Sequence, residues 1–187
     1  MACAAALALA HALNAQESHI GAQVASLQLQ TVDNKSVTFN TIGDKATVVI
    51  FFSTRCPISS GFNYRRNVLY KEFSDRANFF VVDPNANESL TEIRNYAGAM
   101  EFDFPVFRDV DNALADRLGA ALTTDTFVLD SKGIIRYHGY LEDSPNASRT
   151  TVPGLRRAIE ALLDGRPVAM PEAKARGCAI QRVKSTL

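Results

Sequence analysis

Apolar and polar residues alternate through residues 24–31 and again through 37–39, with Asp33-Asn34-Lys35 as turn chemistry between them. This pattern predicts an opening β-hairpin. Residues 46–52 (ATVVIFF) are a continuous apolar run rich in β-branched side chains, which predicts a strand buried on both faces. The period changes after Cys56-Pro57: Ile58, Phe62, Leu69 and Phe73 fall on one stripe of a helix, with Arg65, Arg66, Lys71 and Glu72 largely off it. A second buried strand is expected at 78–82, closed by Asp83-Pro84-Asn85. A helix is expected at 89–100, where Ser89 and Glu92 have the spacing of a capping box. Residues 105–107 read as a short extended piece, and 112–118 as a short helix stopped by Gly119. Residues 126–129 and 134–137 flank Asp130-Ser131-Lys132-Gly133 as a second hairpin. A last amphipathic helix at 153–163 presents Leu155, Ile159, Leu162 and Leu163 on one side and stops at Gly165. The tail from 166 to 187 has no sustained period.

Strand–helix–strand units require a parallel core sheet, and the late hairpin adds antiparallel strands. The expected class is therefore α/β: a central mixed β-sheet flanked by helices, with an N-terminal β-hairpin extension. The 187 residues leave room for one domain, expected at 16–164, with a tail at 165–187. Twenty basic and twenty acidic residues cancel, so the charge excess that drives binding to nucleic acid or to an anionic membrane is missing. No run of eighteen apolar residues occurs, and no stable membrane span is expected. The start of the chain differs from the rest. Residues 3–13 are rich in alanine and leucine, Ala10-His11-Ala12 fits an A-x-A cleavage pattern, and Ala15 offers a second site. Residues 1–15 are accordingly expected to be a signal peptide, and the mature chain to be exported to a periplasmic or extracellular setting. Loss of Cys3 with that segment would leave two cysteines, Cys56 and Cys178, in an oxidising compartment.

Cys56 carries the chemistry. It stands between a buried strand and a helix, where unpaired N–H groups and the positive end of the dipole stabilise a thiolate. Pro57 fits the first helical position without losing a hydrogen bond, and Arg55 adds positive charge beside the thiol. A Cys56 pKa below the free value of about 8.5 is expected. His138 reads as a solvated residue near a turn. No ligand set for a metal is present, because position 60 is serine where a Cys-x-x-x-Cys copper site needs cysteine.

Residues 48–59 (VVIFFSTRCPIS) resemble the active-site strand and helix start of the thioredoxin-like redoxins, the group joining exported thiol–disulfide oxidoreductases to the AhpC/TSA peroxiredoxins. The resemblance runs from about 24 to 163 and includes FFVVDPNANES, FPVFRD and TFVLDSKGIIRYHG. In the tail, Gly177-Cys178-Ala179-Ile180-Gln181-Arg182 fits the Gly-Cys-x-Ile-x-Arg element of one branch. The resemblance implies a thioredoxin-like fold, no cofactor and no metal. It implies an active site of Cys56 and Cys178 surrounded by Ser53, Thr54, Arg55, Pro57, Ser59 and Thr124. It also implies a protein or small-molecule disulfide or peroxide as substrate, an external thiol as reductant, and no nucleic acid partner.

Three positions depart from the family patterns. Ser59 replaces the second cysteine of Cys-x-x-Cys. Ser53 can stand for the threonine of the peroxiredoxin Pro-x-x-x-Thr-x-x-Cys motif, but Val49 replaces its proline. Thr123-Thr124-Asp125 stands where thioredoxins carry a cis-proline, and a trans peptide is expected there. Cys178 has three readings: a resolving thiol for Cys56, a permanent staple of the tail, or a free cysteine. Three functions follow. The first is an enzyme in which Cys56 attacks disulfides or sulfenates and Cys178 resolves the product. The others are a peroxiredoxin and a redox-silent binding module.

Overall fold

The computed structural model describes residues 19–184, so the expected signal peptide at 1–15 lies outside the described residues. The apolar run after Lys45 forms β3 (Ala46–Phe51), buried throughout. Its side chains alternate between two cores. Val48 and Ile50, followed by Phe52, face one; Val49 and Phe51 face the other. That two-sided burial explains why the sequence shows no polar alternation here.

A seven-stranded sheet has the order β2-β1-β5-β4-β3-β6-β7. The opening hairpin is β1 (Ser26–Thr31) and β2 (Ser36–Asn40), turned through Asn34 at φ 65°. Strands β4 (Ala77–Asp83) and β5 (Val106–Arg108) run parallel to β3 and to each other, respectively. The three-residue β5 also pairs antiparallel with β1 and so ties the hairpin to the core. On the other side, β6 (Asp125–Leu129) and β7 (Ile135–Tyr140) complete the sheet antiparallel. The sheet is mixed, as the order of elements requires.

One face is covered by helices α2 (Asn63–Phe73), α3 (Leu90–Ala99) and α5 (Gly154–Leu163), through residues such as Leu69, Phe73, Ile93, Leu155 and Ile159. The other is covered by α4 (Ala113–Leu118) and by Ile180 of the tail, which pack in one core with strand residues such as Leu27 and Leu29. Gly119 ends α4 at φ 72°, the left-handed geometry that suits a glycine stop.

Two expectations need correction. The apolar stripe from Ile58 to Phe73 predicts one helix, but the chain forms a single turn, α1 (Pro57–Ser60), and restarts at Asn63. Phe62 N–H bonds back to Ser59 O in a tight i→i−3 turn at Gly61, which breaks the helix while leaving Phe62 in the core. Arg66, read as a polar-side residue, is 1% exposed, because it stands three residues before Leu69 and seven before Phe73 on the inward face of α2, where its guanidinium bonds to Ser59.

Candidate active site

Cys56 is the N-cap residue of α1, in extended conformation, with Pro57 as the first helical residue. It lies just beyond the carboxyl end of β3 and is 1% exposed. Its sulfur is joined to Cys178 in a disulfide, with Cα atoms 5.9 Å apart across 122 residues of sequence. That distance lies within the range a disulfide bridges. Of the three readings of Cys178, the free cysteine is excluded.

The loop before Cys56 rests on a buried acid. Ser53 Oγ accepts from the N–H groups of Arg55 (3.1 Å) and Cys56 (3.2 Å) and gives its own proton to Glu88 Oε1 at 2.5 Å. The N–H of Thr54 donates to Glu88 Oε2 at 2.7 Å, and the Thr54 hydroxyl donates to the same carboxylate. Glu88 lies beside Asp83 at the end of β4. Burial, first, and then Glu88 push the Asp83 carboxyl up to about 9, so that it holds its proton at neutral pH. Asp83 Oδ1 accepts from the backbone and side-chain amides of Asn85.

Arg55 turns away from the thiol. Its guanidinium makes a two-pronged bond to Glu92, with both N···O distances 2.7 Å. That pairing, led by the hydrogen bond, holds the Glu92 carboxyl down at about 2. It also corrects the capping box: Ser89 Oγ accepts from Glu92 N–H as expected, while the Glu92 side chain goes to Arg55 instead of completing the reciprocal half.

The buried cation near the site is Arg66. Its guanidinium donates to Ser59 O (3.0 Å), Ser59 Oγ (2.9 Å) and Asn63 Oδ1 (2.8 Å), all neutral acceptors, and lies 5.9 Å from the Phe52 ring centroid. Burial lowers its pKa to about 10, which still leaves it charged. Ser59, at the position of a second cysteine, is fully buried. Its Oγ also accepts from Ser53 N–H at 3.1 Å, so it joins Arg66 to the loop before Cys56. Because α1 is a single turn, its dipole is smaller than that of an unbroken helix.

The tail brings Cys178 to this site without a helix or a regular strand. Thr123 N–H donates to Cys178 O at 2.9 Å, Ile180 N–H to Ala121 O at 3.0 Å, and Leu122 and Ala179 form an antiparallel bridge. Thr124 Oγ1 donates to Arg176 O at 3.0 Å. Gly177 packs so closely on Thr124 that a Cβ at Gly177 would overlap its side chain. Beyond Cys178, Ile180 enters the core, Gln181 pairs with Asn85 and Ala86, and Arg182 pairs with Asp116. The described residues contain no cis peptide, and Thr124 serves as a docking point for the tail.

Cys56, Cys178, Ser53, Pro57, Ser59 and Thr124 therefore converge, Thr54 lies one contact away, and Arg55 is diverted to Glu92. His138 stacks on Phe127 with ring centroids 4.2 Å apart, and its backbone pairs with Pro171 and Ala173; it is a packing residue. Sequence reasoning missed Glu88, Asp83, Asn85 and Arg66. Among the described residues, no group of His, Cys, Asp and Glu is arranged to hold a metal, and no helix is long and apolar enough to cross a membrane.

A sequence profile described as the AhpC/TSA family matches residues 20–138. An uncharacterised conserved protein from Geobacillus kaustophilus superposes with a TM-score of 0.80 at 25% identity, over 91% of this chain and 95% of its own. A hypothetical protein from Sinorhizobium meliloti 1021 gives 0.80 at 23% identity, over 89% and 96%. A thioredoxin-like protein solved in its oxidised form gives 0.56 at 22% identity, over 67% and 82%, and marks the fold as thioredoxin-like. No curated protein matches the sequence.

Proposed function

The chain belongs to the AhpC/TSA family, and from that membership we propose that it is a thiol–disulfide oxidoreductase whose working couple is Cys56–Cys178. The pairing of a buried, helix-capping cysteine with a tail cysteine carries this reading. Two thiols that can close on each other exchange two electrons with an outside dithiol or disulfide, without a cofactor.

Cys56 is the thiol whose anion the surroundings favour. As an N-cap its thiolate can accept from the N–H groups of the first turn, and Arg66, bonded to Ser59 of that turn, adds a buried positive charge to the same region. Cys178 closes the disulfide and so does the work of the cysteine that Ser59 replaces. The substrate is a protein or small-molecule disulfide, and an external thiol returns the couple to the reduced state. An exported setting, periplasmic or extracellular, suits a couple that rests oxidised.

Peroxide reduction is the second reading, and it follows from the AhpC/TSA family itself. The site's hydrogen bonds speak against it. Breaking an O–O bond needs donors aimed at the peroxide oxygens. Here the Ser53 proton is committed to Glu88, and the Arg55 guanidinium to Glu92. The comparison of rates tests the proposal: at equal enzyme concentration, disulfide exchange should outrun hydrogen peroxide consumption. Faster peroxide turnover would replace this reading with a peroxiredoxin. A disulfide that no thiol reduces would replace it with a stapled binding module.

A further inference from the structure

We infer that the outside thiol enters the couple at Cys178 and that Cys56 is the inner, leaving sulfur; this rests on the exchange reading above. The roles suggested by the sequence, with Cys56 meeting the substrate and Cys178 resolving, are thereby reversed. Access is the first argument. Cys56 is 1% exposed, whereas Cys178 is only partly buried. Thiolate attack needs a line of approach to the sulfur, and of the two cysteines Cys178 is the more accessible.

The second argument is that the cover over Cys56 does not depend on the disulfide. Thr123 N–H to Cys178 O, Ile180 N–H to Ala121 O and Thr124 Oγ1 to Arg176 O hold the tail on both sides of the cysteine. Ile180 in the core, and the paired Gln181 and Arg182, anchor it further. None of these contacts involves either sulfur, so opening the S–S bond removes none of them directly. They also use the main-chain groups of residues 121–123, so no outside polypeptide can pair with that edge while the tail is docked. The third argument is the leaving group. A lower-pKa thiol leaves faster, and Cys56 is the cysteine that caps the N-terminus of a helical turn, where an anion is favoured.

The step balances as follows. A partner thiolate places its electron pair on Cys178 Sγ and forms a mixed disulfide there. The Cys56–Cys178 bond breaks and Cys56 departs with the bonding pair as a thiolate. A second partner thiolate attacks the partner's sulfur in the mixed disulfide, so Cys178 leaves as a thiolate and the partner becomes a disulfide. Two partner thiols are oxidised and one internal disulfide is reduced. Their protons pass through solvent to the two cysteines.

Limited reaction of the oxidised full chain with cysteamine, quenched in acid, followed by peptide mass spectrometry, locates the first adduct. At least about tenfold more adduct is expected on Cys178 than on Cys56. Adduct chiefly on Cys56, or equal amounts on both, overturns the inference and leaves the exchange reading standing. A disulfide untouched by cysteamine overturns the exchange reading and this inference with it. Single-cysteine proteins separate access from later shuffling. With 5,5′-dithiobis(2-nitrobenzoate), the thiolate of Cys178 in Cys56→Ser should react about tenfold faster than that of Cys56 in Cys178→Ser, each taken from its high-pH plateau. Equal rates, or a faster Cys56, contradict the proposal.

Discussion

The two sulfurs of the couple are held in place by different means. Cys56 is placed by regular structure: β3 delivers it, α1 starts on it, and Ser53, Ser59, Glu88 and Arg66 fix the loop around it from within the core. Cys178 is placed by an irregular tail whose position depends on a few main-chain bonds to 121–123, one tight contact at Gly177 and an apolar anchor at Ile180. A change near Cys56 should therefore alter the chemistry of the thiol. A change near Cys178 should alter how often the two sulfurs meet.

The largest effect is expected where both arms fail together. Cys56→Ser and Cys178→Ser should each lower the rate of disulfide turnover by about a hundredfold or more, because a single thiol has no internal partner to release the mixed disulfide. An insulin-reduction or glutathione-disulfide assay reads this directly. Substantial turnover by either variant would dissolve the comparison. Next comes the tail arm alone. In Gly177→Val the new side chain collides with Thr124. Overpacking of this kind costs about 1–3 kcal/mol, enough to slow closure of the disulfide about tenfold or more. The expected signature is slow reoxidation with the melting temperature of the domain little changed. Unchanged closure would mean that Gly177 does not set the position of Cys178.

The Cys56 arm is tested by Arg66→Met in the Cys178→Ser background. Loss of this buried charge, which is bonded to Ser59 in the turn that Cys56 caps, should raise the Cys56 thiol pKa by about one unit or less. Alkylation rate against pH measures it, and an unmoved midpoint would detach Arg66 from the thiol. The smallest effect on the couple itself is expected from the acid beneath the loop, which acts on stability instead. Asp83 is raised to about 9 in the folded protein, so the native state holds a proton that the unfolded chain releases near pH 4. Its stabilising contribution is fully present below pH 4 and is lost as pH rises from about 4 toward 9. Asp83→Asn keeps a donor toward Glu88 without that proton. It should flatten the fall in stability across this range, and denaturant midpoints at pH 5 and pH 8 check the expectation.

The same contrast explains what the sequence revealed. The strand and helix order was legible because β3 and β4 are continuous apolar runs, α5 carries a strong helical period, and Cys56-Pro57 marks its own position at a strand end. The break at Gly61 was not, since Ile58, Phe62, Leu69 and Phe73 keep a helical stripe across it. Arg66 looked solvated because a polar residue on a helix usually is, although its spacing from Leu69 and Phe73 puts it on the buried face of α2. Glu88 sits between turn residues and a helix cap, and its partners Ser53 and Thr54 lie 35 and 34 residues away, beyond any local pattern. The tail shows no period because it forms no regular element. Its cysteine was legible only as part of a Gly-Cys-x-Ile-x-Arg element, and the bonds that dock it run to residues 121–123, far from it in sequence.

The central claim is that the Cys56–Cys178 bond is a working couple. Equilibrating the full chain with dithiothreitol and glutathione redox buffers, and counting protein thiols by alkylation and mass, measures its reduction potential. A working couple predicts a midpoint between about −270 and −120 mV, the range of active thiol oxidoreductases. A bond that stays closed below about −300 mV would be a structural staple and would contradict the account.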